Sequence, residues 1–190
     1  MELTELIVAA RRETHTISGP FIDWDPVDSA ALFLRTNRYT VAQKEQGPAP
    51  PNLEVEPPEA DKDAEVPSPP EEIVLSCQLE RGGKGRGWFS SNLAELETSV
   101  TLRLDGGVIV AEYVVDTTGQ WMSQEEKGFW KREADALAAF LRGEQEIANL
   151  AEGETARATE VRHRLLTTGL WLAGVVFVVL FFAGIVLSRN

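Results

Sequence analysis

From Leu165 to Leu187 the chain reads LLTTGLWLAGVVFVVLFFAGIVL without a single charge, and only Ser188, Arg189 and Asn190 follow. As a helix rising 1.5 Å per residue, such a run reaches about 35 Å, enough to cross a hydrocarbon core about 30 Å thick with some tilt. A helix packed in a water-soluble core keeps a polar stripe. Here Thr167 and Thr168 are the only polar side chains, and both stand at the entrance. The run predicts one C-terminal transmembrane helix over residues 165–187, with the lipid bilayer as its surroundings.

Orientation follows from the cations, because Lys and Arg beside a span resist translocation. Arg157, Arg162 and Arg164 precede the run and Arg189 alone follows it. The N-terminal part is therefore expected on the cytoplasmic side, with the C-terminus opposite. The opening MELTELIVAARRE has acids ahead of its apolar residues and no long apolar core, unlike a cleaved signal peptide. A span this close to the last residue resembles the tail-anchored topology, which implies insertion after translation.

Ahead of the span there is room for one modest domain. The single cysteine, Cys77, has no partner for an internal disulfide and reads as a small buried residue on a strand. The net charge of −12 is concentrated: nine acids lie between Lys44 and Glu72 against Lys44 and Lys62, and eight of the ten prolines fall from Pro48 to Pro70. Residues 44–71 thus read as an acidic, proline-rich linker with too little apolar surface to offset its ordering entropy. With no basic stripe interleaved by aromatics, nucleic acid is not an expected partner.

Leu3, Leu6, Ile7 and Ala10 share one helical face and predict a short N-terminal amphipathic helix. Beyond Asp28, ALFLRTNRYTVAQ reads as two short strands around Thr36 and Asn37, with a helical turn over Ala30 to Leu34 as the alternative. Ile73 to Leu79 alternates as a strand. Ser99 to Leu104 and Val108 to Val114 flank Asp105, Gly106 and Gly107, the pattern of a β-hairpin. Ser123 and Glu126 are spaced as a capping box. The helix expected from there to about Arg142 carries a stripe of Trp130, Ala134, Leu137, Ala138 and Leu141, and Gly143 is placed to end or bend it.

Residues 144–164 keep helical composition with few apolar side chains and read as a solvated stalk. Segments 1–43 and 72–143 are each small for an independent core. Together they predict one α+β domain: a small antiparallel sheet packed against one or two helices, followed by the stalk and the transmembrane helix.

Four groups of residues are candidate sites. FIDWDPVD presents Asp23, Asp25 and Asp28. The D-x-D spacing of the first two resembles the nucleophile motif of haloacid-dehalogenase-type phosphatases, which implies a nucleophile and a general acid around Mg²⁺. In that family an apolar strand precedes the motif, whereas Ser18, Gly19 and Pro20 stand here. The competing reading is of loop acids that cap turns or meet Arg35 and Arg38. The glycine and distal glutamate of a calcium loop are missing at their offsets.

Gly82 to Gly87 (GGKGRG) offers backbone N–H groups with Lys84 and Arg86, a candidate cradle for an anion or lipid headgroup that lacks the P-loop spacing. His15 and His163 stand far apart with no Cys or second His beside them, so neither a metal site, a resident cofactor nor a histidine-based triad is expected. Trp88, Phe89 and Trp121 are candidate interface aromatics among several tryptophans otherwise expected in the core. Within the span, Gly169, Ala173 and Gly174 are small residues suited to helix–helix packing, and Trp171 marks the interface.

The expected function is a non-catalytic accessory, assembly or scaffolding subunit of a larger membrane complex. It would contact other subunits through its span and its cytoplasmic domain. Two alternatives compete with it: a membrane-tethered regulatory module that binds an anionic ligand through Gly82 to Gly87, and a membrane-anchored phosphatase or hydrolase that uses Asp23 and Asp25.

Overall fold

A computed structural model describes residues 10–51, 53–55, 72–83, 92–118, 122, 124–161, 163–164, 166–168 and 171. In chain order the elements are β1 (Ala10–Ser18), α1 (Pro26–Thr36), β2 (Thr40–Gly47), β3 (Ile73–Arg81), β4 (Thr98–Asp105), β5 (Val108–Asp116), α2 (Gln124–Lys127) and α3 (Phe129–Leu141). A 3₁₀ turn, Leu93–Glu95, precedes β4, and helical backbone resumes at 150–161. The fold is α+β, with one five-stranded antiparallel sheet in the order β1-β5-β4-β3-β2. Strands from both sides of the acidic segment therefore share a single sheet.

Alternation decides which face is covered. Leu79, Val100 and Tyr113 stand opposite one another across β3, β4 and β5; so do Cys77, Leu102 and Ala111, and so do Arg81, Thr98 and Val115. All nine are buried, while Ser99, Thr101 and Val114 on the other parity are half-buried and Arg103 is exposed. The helices α1 and α3 cover the first face. Phe33, Leu34, Leu137 and Leu141 come almost wholly out of water there, a gain of about 1.5–3 kcal/mol apiece.

The hairpin forms where the glycines allow it. Gly106 and Gly107 take φ of 58° and 83° between β4 and β5, as a two-residue type I′ turn requires. The stripe of α3 buries Trp130, Ala134, Leu137 and Leu141, with Ala138 partly buried. Gly143, at φ 72°, closes it.

Other elements differ from the sequence reading. The N-terminal amphipathic helix falls on residues 1–9, outside those described, but Ala10 opens β1 rather than closing a helix. ALFLRT belongs to α1, because Asp25 caps the helix, Pro26 occupies its first turn, and Val27, Ala30, Ala31 and Leu34 repeat at helical spacing. One strand, β2, follows Asn37 instead of two flanking it.

Residues 44–47, read as linker, complete β2, and Val55 bridges to the buried Phe21. Residue 52 and residues 56–71 lie outside the described chain, as does Ser123 of the capping box. Helical backbone in the segment read as a solvated stalk starts only at residue 150. Ala151, Glu154 and Ala158 are buried there against the domain.

Among the described residues no helix is long and apolar enough to cross a membrane. Of the run Leu165–Leu187, only Leu166, Thr167, Thr168 and Trp171 are described.

Candidate functional site

The three aspartates do converge, around the start of α1. Asp25 Oδ1 accepts the N–H of Asp28 at 3.0 Å, and its Oδ2 accepts the N–H of Val74 at 3.0 Å. One carboxylate thus caps α1 and ties it to β3. Burial raises the pKa of Asp25 against the lowering effect of these two N–H donors, and the charges of Asp28 and Asp23 push the same way as burial. Asp23 Oδ2 accepts the Ser29 hydroxyl at 2.6 Å. Asp28 pairs with Lys44, whose pKa that hydrogen bond raises. Lys44, rather than Arg35 or Arg38, is the cation that meets this cluster among the described residues, and the arrangement pins α1 to both β2 and β3.

The glycine loop is described only at its start. Gly82 takes φ 81°, and a Cβ there would run into the backbone of Glu95 and Leu96. Lys84, Arg86, Trp88, Phe89, Trp121, Gly169, Ala173 and Gly174 all lie outside the described residues. Of the other tryptophans, Trp130 is wholly buried, Trp24 is half-buried and Trp171 is exposed. His15 lies on β1, edge-on to the Tyr113 ring at 5.7 Å. Cys77 is buried on β3, and burial raises its thiol pKa. Among the described residues, no group of three or more His, Cys, Asp or Glu side chains gathers as a metal site would require.

A buried group of charges lies elsewhere, inside the core. Arg81 closes β3 on the inward parity and Glu133 sits in the buried stripe of α3. Arg81 Nη1 meets Glu133 Oε1 at 2.6 Å and the carbonyl of Asn37 at 3.2 Å. The Tyr39 hydroxyl donates to Glu133 Oε2 at 2.8 Å, and the Arg81 guanidinium lies 4.2 Å from the centre of the Tyr39 ring.

Burial works hardest against the charge of Arg81, yet Glu133 and the two tyrosines together outweigh it and the net pKa is raised. Tyr39 and Tyr113 are both held well above the usual phenol value, first by burial and then by the charge of Glu133. With side chains 1% and 0% exposed, the Arg81–Glu133 pair is shut off from any substrate. What it can do is fix the sheet, α3 and the turn after α1 in one arrangement. The sequence does contain its signal: Arg81 continues the inward alternation of Cys77 and Leu79, and Glu133 falls three residues after Trp130.

The second arrangement that sequence reasoning misses is a long-range helix cap. Asn37, fully buried in the turn after α1, donates from Nδ2 to the carbonyls of Phe33 at 3.1 Å and Ala148 at 2.8 Å. Its Oδ1 accepts the N–H groups of Leu150 at 2.8 Å and Ala151 at 3.2 Å. These are orphan donors at the start of the C-terminal helix, satisfied by a side chain more than a hundred residues away.

Arg38 Nη1 then donates to Thr155 Oγ1 at 3.0 Å, and Arg157 Nη2 to Glu126 Oε1 at 3.0 Å. A groove of about 770 Å³ runs along this helix beside Arg38, Thr155, His163 and Arg164. Glu152 and Glu160 line it too, so its fixed charges balance. Comparison of the chain with protein-family models, curated proteins and solved structures gives no match.

Proposed function

We propose that this chain is a single-pass membrane protein that serves as a non-catalytic accessory, assembly or scaffolding subunit of a larger membrane complex. Its folded domain lies on the cytoplasmic side, residues 165–187 cross the bilayer, and the C-terminus faces the opposite space. The observation that carries this reading is the Asn37 clamp. An enzyme that only has to reach its substrate is served by a flexible tether. Here the helix that leads into the apolar run is keyed into the domain by three hydrogen bonds of one buried side chain and by Arg38 and Arg157 beyond it. Such a connection sets the orientation and height of the domain over the membrane, which is what positioning partners demands.

Two further features support it. Asp23 and Asp25, the residues a phosphatase mechanism would need, accept hydrogen bonds that hold α1 in place. The ion pair in the core, Arg81 and Glu133, is closed to solvent.

The test is purification of the intact chain from alkaline-washed membranes in mild detergent. It should stay with the membrane through the wash and elute with a stoichiometric set of other membrane proteins. Replacing residues 165–187 by polyleucine should keep the anchor and weaken that association. Release of the chain by the alkaline wash would contradict the anchor, and elution as a lone monomer would contradict the subunit role.

A further inference from the structure

The sheet ends in two edges, β1 and β2, and they are built differently. Pairing of β2 with β3 is irregular between Val41 and Gln43 and again between Glu45 and Gln46, and Lys44 sits in its middle. Bulges and lysines are the usual means of discouraging another strand from joining. By contrast, β1 runs in unbroken register with β5 from Ala10 to Ser18, with no bulge, proline or lysine, and its charges are Arg11, Arg12 and Glu13. Among the described residues, its other side pairs with nothing.

We infer that β1 is the contact edge of a homodimer, pairing antiparallel with β1 of a second copy about a two-fold axis at Thr14 to make one ten-stranded sheet. Side chains directly opposite in such a pair point to the same face, so the register must centre on a residue. Centring on Arg11, Arg12 or Glu13 sets that charge against itself. Centring on His15 or beyond opposes two histidines or shortens the pairing.

At Thr14 all nine residues pair, and no like charges meet. Glu13 stands opposite His15 of the partner subunit, Arg12 opposite Thr16, Arg11 opposite Ile17, and Thr14 opposite itself. The Glu13–His15 match occurs twice by symmetry, and each opposed pair of this kind contributes about 0.2–1 kcal/mol.

The side chains concerned are already gathered on the helix-covered face. Glu13 Oε2 lies 3.4 Å from His15 Nε2, and Glu13 Oε1 lies 2.5 Å from Arg11 Nε. Glu13 thus already stands between Arg11 and His15 of its own strand, and a second copy would continue this row of side chains across the edge. The inference does not depend on the proposed subunit role.

Thr14→Cys in the full chain tests it directly. Cα atoms opposed in an antiparallel pair lie about 4.5–5.5 Å apart, within reach of a disulfide, and the native Cys77 is 1% exposed. Mild oxidation should convert the chain to a covalent dimer, whereas Glu45→Cys on β2 should stay monomeric. His15→Glu sets a carboxylate against Glu13 on both sides and should weaken association about tenfold. Adding Glu13→His to it exchanges the two residues and should restore the dimer. Near-ultraviolet circular dichroism of the buried Trp130 and Tyr113 shows whether each variant is folded. A native chain of monomeric mass, Thr14→Cys cross-linking no faster than Glu45→Cys, or a folded His15→Glu variant that dimerises unchanged would overturn the inference.

Discussion

Arg81 Nη1 and Glu133 Oε1 lie 2.6 Å apart with almost none of either side chain in contact with water. Burying two charges costs hydration that their attraction roughly repays, so such a pair adds little net stability, yet breaking it strands a charge. Arg81→Met or Glu133→Leu alone should therefore cost about 3–5 kcal/mol in urea unfolding. The combined variant, with Tyr39→Phe so that no hydroxyl is orphaned, should return to native stability or exceed it by about 1–4 kcal/mol. Losses that simply add would show that the two groups do not act as a pair.

Both tyrosines of the chain, Tyr39 and Tyr113, are buried beside that pair. Burial, and after it the charge of Glu133, raises both pKa values well above 10. The folded chain thus holds these protons more tightly than the unfolded one. The associated stability is complete below about pH 10 and is lost as pH rises through the raised folded values. Ultraviolet absorbance should show no phenolate while circular dichroism reports a folded chain, and then both phenolates in one step with unfolding. A half-amplitude phenolate signal near pH 10 in folded protein would place one tyrosine in water.

Asn37→Ala removes the cap from the C-terminal helix and should cost about 1–3 kcal/mol. The loss should be regional. Amide exchange at 150–161 should quicken strongly, while β4 and β5 keep most of their protection. Asn37→Asp keeps the acceptor for Leu150 and Ala151 but loses the donor to Ala148, so its effect on exchange should be intermediate.

Gly82→Ala should destabilise the domain by at least about 2 kcal/mol. The residue sits at φ 81°, and the added methyl meets backbone at Glu95 and Leu96, which cannot swing aside as a side chain would. Gly83→Ala, with nothing within 4 Å of the new methyl, is the matched control in thermal unfolding.

The sequence is most legible where one local rule suffices. Gly106 and Gly107 mark the hairpin, alternation marks β4, a β-rich run marks β5, and helical spacing from Trp130 to Leu141 marks α3. β1 escapes notice because the residues it turns inward, Arg11, Glu13 and His15, are polar and lie at a sheet edge, so no apolar alternation appears. In α1, the cap at Asp25 and the proline after it are stronger signals than the apparent alternation of ALFL.

Asn37, Arg81 and Glu133 are harder to read still. A polar residue in a core position is decided by partners that folding brings from far along the chain. Ala148, Leu150 and Ala151 stand more than a hundred residues from Asn37. The aspartate cluster, by contrast, is visible in FIDWDPVD, though not its anchors Val74 and Lys44.

Hydrogen exchange of the full-length chain in lipid nanodiscs, compared with its Asn37→Ala variant, tests the central claim most directly. The native chain should show strong protection at both 150–161 and 165–187. The variant should lose it at 150–161 alone, because lipid shields the apolar run independently of the cap. Rapid exchange across 165–187 in the native chain, or unchanged protection of 150–161 in the variant, would contradict a domain clamped through Asn37 to a helix that enters the bilayer.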